Sequence, residues 1–483
     1  MMRMRELVTR HQWEPAHVAL LALSSAVVLL TLLPITDLDA YWHVLIGQQI
    51  LGTRSLTDLG ADWTVQAPSS PWHTTQWLAE AIMGGSVHAV GWAALLWLRL
   101  AMVVITIVTV LVVLLRRATA AASAVVLLGA LNPGLHVFQE RPLLASLPLC
   151  VWLGALSHDL LERQSRRLWP VFALTLLWAN VHGLWVLAPA VLAAVAILLA
   201  IEQPGSIRQR IVAGRIAATA AVLALAGGLL TPLGFGSVIA PIRFHGSTAA
   251  IAEWQTVVAW SPAAWGLWLL LALMVVAWVT GRRPARVGTV GFTMLVVAFG
   301  LSAYRNLMPA GLLLAPLVAA HASSLPWLRR RPTTPERATA LAVVAGVLVI
   351  AITLGAVLIT ATTDPLGRAQ PLSIARALAK ETQPVRVFNS YNASGVLLAF
   401  GGPSIQLAID GRADRYGNAR IQQHIRTENL QGNWQADFAS ADANYAVIGN
   451  DSPLAYELTT HRGWKRLRTD GEYVLLKAPP SAN

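Results

Sequence analysis

Runs of apolar residues near the length needed to cross a bilayer recur along this 483-residue chain, and nothing else in the sequence limits its fold so strongly. Eleven such runs fall near residues 16–35, 92–115, 119–137, 142–160, 168–181, 184–201, 215–233, 263–280, 287–302, 307–323 and 338–361. Hydrophobic residues make up 55% of the chain and charged residues only 12%, which is the composition of a membrane protein. The fold class expected is therefore a polytopic α-helical membrane protein with about 11 transmembrane helices. The first run lacks a small-residue cleavage site and ends at Pro34, so it reads as a retained anchor. Cys150 is the sole cysteine, which rules out an internal disulfide, and its apolar setting makes it a core residue.

The net charge of +12 could suggest nucleic acid, but the basic residues sit in short clusters between apolar runs and not on one face among aromatics. No nucleic-acid partner is expected. With Arg3, Arg5 and Arg10 placed inside, every second connection is basic: Arg116/Arg117, Arg163/Arg166/Arg167, Arg208/Arg210/Arg215, Arg282/Arg283/Arg286 and Arg329/Arg330/Arg331/Arg337. The opposite connections carry only Arg54, Arg141, Arg243 and Arg305. The positive-inside rule then predicts a cytoplasmic amino terminus in the inner or plasma membrane and an extracytoplasmic carboxy-terminal region. The helix over 168–181 is short for a crossing and reads as tilted or partly re-entrant; removing it would spoil the charge alternation.

The outer side holds the concentrated polar chemistry. Its first loop, 36–91, is long, and PWHTTQWLAEAI within it suggests helices lying at the interface. Directly after the first span, Thr36-Asp37-Leu38-Asp39-Ala40-Tyr41-Trp42-His43 holds two carboxylates at the lipid boundary, where partial desolvation raises basicity and suits a general base. A helix cap with an aromatic belt residue is the competing reading. Arg99 lies in the second span, about 10 Å below its outer end, and needs an anion: Asp37, Asp39 or a ligand phosphate. Arg141 and Arg305 are phosphate candidates by the same chemistry, against simple snorkelling to headgroups. His43, Glu80, Glu140, His182 and Glu253 complete the outer-side candidates for substrate contact.

From residue 362 the composition is that of a soluble domain. Strands are expected at 385–389, 405–409 and 445–449 with a hairpin at 464–477, and helices at 394–400, 418–430 and 452–461. That alternation predicts a small α/β sheet with parallel strands, whose ligand side lies beyond the strand carboxyl ends. Those ends present Asn389, Tyr391 and Asn392, then Asp410, Gly411, Arg412 and Asp414, with turn-shaping Asx bonds as the alternative role. The domains expected are a transmembrane part, 1–361, and an extracytoplasmic α/β domain, 362–483.

Asp37-Leu-Asp39-Ala-Tyr-Trp-His43, Gln139-Glu-Arg-Pro142, Trp178-Ala-Asn-Val-His182-Gly183, Thr231-Pro-Leu-Gly234, Glu253-Trp254 and Arg305-Asn306 are similar in order and spacing to bacterial membrane proteins of the GT-C superfamily of polyprenyl-phosphate-dependent glycosyltransferases. The resemblance spans nearly the whole chain. It implies a GT-C-like fold and a first-loop aspartate that acts as base or orients the acceptor, which is Asp39 first and Asp37 second. Ala40 stands where many relatives carry Glu, and Thr75-Gln76 where relatives show His-Glu, so a divalent metal stays an open question. Phe388-Asn-Ser-Tyr-Asn-Ala-Ser-Gly395 and Ile409-Asp410-Gly411 look distantly like the acceptor-binding outer domain of the oligosaccharyltransferase catalytic subunit, with Asn392 in place of its Asp.

The function expected is transfer of a sugar from a polyprenyl-phosphate donor, held with membrane lipid, to a cell-envelope glycan, lipid or protein acceptor on the outer face. Two other classes compete. A noncatalytic assembly subunit would use the outer domain to bind partners. A transporter of lipid-linked substrate would need midplane polar residues and broken helices in related halves, which the sequence does not show.

Overall fold

The computed structural model describes residues 15–30, 33–65, 72–132, 137–162, 168–245, 251–280, 283–328, 344, 346–353, 355–357, 359 and 364–480. Arg3, Arg5, Arg10, Arg163, Arg166, Arg167, Arg282, Arg329, Arg330, Arg331, Arg337 and the side chains of Arg243 and His245 lie outside the described residues, as does much of the candidate span 338–361.

Helices occupy the apolar runs. In chain order they are α1 (Pro15–Leu30), α2 (Asp39–Thr53), α3 (Trp77–Val90), α4 (Ala93–Leu115), α5 (Ala120–Leu131), α6 (Ser146–Leu161), α7 (Trp169–Val181), α8 (Leu187–Glu202), α9 (Ile207–Leu229), α10 (Gly236–His245), α11 (Trp265–Thr280), α12 (Val287–Ser302) and α13 (Leu307–Ala322). Short 3-10 turns lead into α6 and α8 from Pro142–Ala145 and Gly183–Val186. Among the described residues five helical segments are long and apolar enough to cross a membrane: Ala93–Leu115, Pro142–Leu161, Gly183–Glu202, Ile207–Leu229 and Pro262–Thr280. The helix over 169–181 is one of several shorter apolar helices.

The chain divides into two compact units, one formed by residues 1–33, 97–238 and 252–363, the other by 34–96, 239–251 and 364–483. Helix α13 is the spine of the first unit, buried at every position from Leu307 to Ala322. Its packing relies on small residues, because in lipid a helix pair gains little from hydrophobicity and must gain from close contact. Gly154 of α6 shows how close: a β-carbon there would lie 2.1 Å from the Leu313 carbonyl oxygen. Cys150, one turn earlier, is fully buried.

In the second unit α2 and α3 cross at two glycines. A β-carbon on Gly47 would lie 1.8 Å from the Glu80 carbonyl oxygen, and one on Gly84 2.5 Å from the Gln48 nitrogen. The rest of this unit is built on β1 (Val385–Asn389), β2 (Ile405–Leu407), β3 (Tyr445–Gly449), β4 (Lys465–Asp470) and β5 (Tyr473–Lys477). Their order is β2-β1-β3-β5-β4, with β1 parallel to β2 and β3, and β5 antiparallel to β3 and β4. The parallel sheet read from the sequence thus carries an antiparallel pair, because β4 and β5 form the hairpin at Asp470-Gly471 and turn back on β3. Strand β2 ends at Leu407, before the expected 409. The helices are α14 (Leu372–Leu378), α15 (Ser394–Phe400), α16 (Ala413–Glu428), α17 (Trp434–Ser440) and α18 (Pro453–Thr460). Helix α16 begins before the expected 418 and is kinked at Gly417, whose φ of 71° is non-helical. Phe388, Ile448, Leu454, Leu458, Val474 and Leu476 are core residues, each contributing roughly 1.5–3 kcal/mol of burial.

The segment between α2 and α3 joins this sheet by backbone pairing. Leu407 N–H donates to the Trp63 carbonyl (2.8 Å) and Val65 N–H to the Leu407 carbonyl (2.9 Å), a parallel bridge on the edge of β2.

Candidate functional site

The Asp37-Leu38-Asp39 segment sits at the start of α2, and both of its carboxylates are oriented locally. Asp37 is buried, and its Oδ1 accepts the Asp39 backbone N–H at 2.9 Å, which satisfies one of the orphan donors of the first turn. Asp39, half-buried, accepts the Trp42 indole N–H on Oδ1 at 3.0 Å. So Asp37 does the cap work of the competing reading, and Asp39 is aimed by a side chain one helical turn away.

The segments that follow β1 and β2 close on this one, the first through Gly395 in the opening turn of α15 and the second through Gly411 in a loop. A β-carbon on Gly395 would lie 2.2 Å from the Leu38 carbonyl oxygen; one on Gly411 would lie 2.9 Å from Asp39 Oδ1 and 2.6 Å from Trp42 Nε1. Only glycine permits such an approach. Tyr391 ties the two segments together by donating its hydroxyl to the Gly411 carbonyl at 3.0 Å. Burial, with Asp39 and Asp410 nearby, pushes the Tyr391 phenol well above its usual range, so it stays a donor. Asn392 is exposed in the same turn, while buried Asn389 braces the two segments by donating to the Ile409 carbonyl and accepting from Ala408.

Arg412 is fully enclosed. Its Nε and Nη2 donate to the two oxygens of Asp410 (3.0 and 2.6 Å), and Nη1 and Nη2 to the carbonyls of Leu59 (2.5 Å) and Gly60 (2.9 Å). The indoles of Trp63 and Trp72 flank the guanidinium, 4.8 and 4.9 Å from its carbon to their ring centres. Burial works against this charge, but the Asp410 carboxylate outweighs it and holds the guanidinium firmly protonated. Tyr416 completes the group by donating to Asp410 Oδ2 at 2.7 Å; burial first, and Asp410 second, raise its phenol pKa. Trp72 also donates to Asp414 at 3.0 Å. Arg412 and Asp410 therefore fasten the segment between α2 and α3 to the end of β2.

Glu80 and His43 form a buried pair between α3 and α2, with Glu80 Oε1 2.9 Å from His43 Nδ1. Glu80 Oε2 is buried and has no hydrogen-bond partner among the described residues. Among the described residues no group of three or more His, Cys, Asp or Glu side chains is placed to hold a metal ion.

In the first unit Arg99 finds its anion in Glu140, and its other arm reaches the Leu33 carbonyl. Both side chains are buried. The next residue belongs to a different group: Arg141 Nη1 donates to Glu253 Oε2 at 2.8 Å, and Arg305 Nη1 to Glu253 Oε1 at 3.2 Å. The Arg305 guanidinium lies 4.2 Å over the Trp254 ring. One carboxylate thus orients two guanidinium groups, drawn from three segments far apart in sequence and all partly exposed. His182 has a local part. It accepts the Leu184 N–H on Nδ1 (3.2 Å), so Ser146 Oγ, 3.0 Å away, must donate to it while accepting the Trp178 indole N–H at 2.8 Å.

Sequence reasoning named most of these residues singly. It missed Trp63, Trp72 and Tyr416; the density of tryptophan in the first outer loop was the one available signal.

No protein-family model and no curated protein sequence matches the chain. Among solved structures it is similar to ArnT from Cupriavidus metallidurans bound to undecaprenyl phosphate, with 15% identity, 96% of this chain and 98% of that chain covered, and a TM-score of 0.52. ArnT in the apo state gives 13% identity, coverage of 96% and 99%, and a TM-score of 0.52. At such identities the likeness speaks for the fold, and it covers both compact units: the chain has a mostly helical, ArnT-like fold, in keeping with the GT-C-like fold that its motifs implied.

Proposed function

We infer that this protein is a glycosyltransferase that moves a sugar from a polyprenyl-phosphate donor to a cell-envelope acceptor on the outer face of the membrane. The observation that carries this reading is the Arg141–Glu253–Arg305 cluster, in which one carboxylate orients two guanidinium forks. Guanidinium forks suit phosphate oxygens, and charge on a departing phosphate is what such a transfer must stabilise. ArnT, of like fold, binds undecaprenyl phosphate, which supports the donor class. Asp39, held by Trp42 at the start of α2, takes the acceptor proton, and Asp37 supports it through the backbone. In this reading eleven spans put the amino terminus in the cytoplasm and residues 362–483 outside.

Asp39→Asn keeps the size of the side chain and removes its ability to take a proton. In a deletion strain this variant is expected to insert and purify normally, bind polyprenyl phosphate as the parent does, and lose about a hundredfold to ten-thousandfold in transfer rate. Arg305→Ala is expected to weaken donor binding instead. Full restoration of the envelope glycan by both Asp39→Asn and Asp37→Asn would remove the catalytic reading and leave the assembly role.

A further inference from the structure

A cavity of about 440 Å³ opens in the first compact unit beside the connection between α8 and α9, apart from all the groups above. Its walls are of two kinds. Leu160 of α6, Leu199 of α8 and Ile216 of α9 are apolar, while Gln203, Arg208 and Arg215 bring donors to it. Arg208 and Arg215 are seven residues apart on one helix, so they project from nearly the same face, about 10 Å apart along the axis. Among the described residues neither has a carboxylate partner. Of the acids nearby, Glu202 is held by Arg286 (2.6 Å) and by the Gly288 N–H (2.9 Å), and Glu162 also faces Arg286 (3.8 Å), so neither is paired with them.

We propose that this cavity binds one anionic phospholipid, its headgroup phosphate between Arg208 and Arg215 and its acyl chain along Leu160, Leu199 and Ile216. Charge complementarity selects the occupant: two uncompensated guanidinium groups above an apolar wall fit an anionic headgroup with a tail, and an uncharged lipid would leave both cations unmatched. The distance between the two arginines exceeds a single ion-pair contact, so the headgroup fits as a ligand reached from both ends. Arg208 and Arg215 belong to a basic connection that the charge alternation assigns to the cytoplasmic side, where anionic lipid meets the protein surface.

Native mass spectrometry of the full-length protein in detergent, titrated with phosphatidylglycerol or phosphatidylcholine, tests this. The parent protein is expected to retain one phosphatidylglycerol in preference to phosphatidylcholine. An Arg208→Gln/Arg215→Gln double variant is expected to bind it roughly thirtyfold more weakly, since each basic residue at a lipid surface adds about a factor of five. Arg210→Gln, the same charge change on another face of α9, is expected to bind as the parent does. Ala213→Trp, which fills the cavity and keeps both arginines, is expected to lose the lipid. Equal weakening by Arg210→Gln, equal retention of phosphatidylcholine, undiminished binding by Ala213→Trp, or displacement by glycerol phosphate at equal concentration would each overturn the proposal.

Discussion

Gly411 rests so close to Asp39 that a single added methyl would lie 2.9 Å from Oδ1 of the carboxylate, inside van der Waals contact. The same methyl would lie 2.6 Å from the Trp42 nitrogen that holds that oxygen. The loop after β2 is in this way one wall of the place where Asp39 sits, though the two residues are far apart in sequence. Gly411→Ala is expected to cost about 1–3 kcal/mol through overpacking and to displace the indole from the carboxylate. Thermal unfolding gives the cost, and quenching of tryptophan fluorescence reports the displacement. An unchanged melt and spectrum would mean that the loop is free to retreat.

Removing Arg412 should do more damage than removing a surface arginine. Arg412→Ala leaves the Asp410 carboxylate buried and without its cation, a change that typically costs about 3–5 kcal/mol. It also removes the partner that Trp63 and Trp72 share. Limited proteolysis of the full chain is expected to cut near residues 59–65 in the variant and to spare them in the parent. Arg412→Lys restores charge without the planar fork and should recover only part of the protection.

The second compact unit should loosen in acid through His424. This side chain is buried, stacks on Phe388 with ring centres 4.6 Å apart, and donates from Nε2 to the Asn389 carbonyl at 2.7 Å. Burial lowers its pKa to about 4, against an ordinary value near 6.5. Between those values the unfolded chain holds a proton that the folded one does not, so stability falls as pH drops from about 6.5 towards 4 and is complete above 6.5. The loss approaches about 3 kcal/mol at most. Burial raises the Asp414 carboxyl on the same helix to about 6, which favours the folded state as pH falls below 6 and opposes His424. Hydrogen exchange over β1 and α16, corrected for intrinsic rate, should therefore rise more across that window in the parent than in His424→Phe.

Gly47→Ala tests the α2–α3 crossing. The new β-carbon would meet the Glu80 carbonyl, a backbone atom that cannot rotate away, so the two helices must part. The His43–Glu80 contact of 2.9 Å should open with them. Loss of at least 1 kcal/mol of stability is expected, by the cost of overpacking. Gly52→Ala on the same helix meets nothing within 4 Å and is the matched control.

The apolar runs were legible because lipid imposes a length and a composition that twenty consecutive residues can display. Strands β1, β3 and β5 were legible for a related reason, since a short buried apolar strand bounded by turns is a local pattern. Helices α14 and α17 were not read: each is only seven residues long and neither, unlike α15 of the same length, directly follows a strand that was read. The partner of Arg99 was not read either: the need for an anion was evident, yet Glu140 lies 41 residues on, and helix packing alone brings it near. Arg141, Glu253 and Arg305 were each named without any sign that one carboxylate would join the other two. The attachment of Leu59 and Gly60 to Arg412 spans more than 350 positions, a distance over which no local rule operates.

That attachment also imposes an order on biogenesis. Trp63 and Trp72 are synthesised long before Arg412, and the backbone groups of Trp63 and Val65 that pair with Leu407 wait equally long. Until the last quarter of the chain has been made, the segment between α2 and α3 holds sticky indoles and an unpaired ribbon without the strand on which they dock. A ribosome stalled before residue 405 would leave that surface uncovered, a ready mark for chaperones and membrane proteases. Completion of β2 and of the turn after it is therefore the step that first covers this surface, with β3, β4 and β5 still to follow.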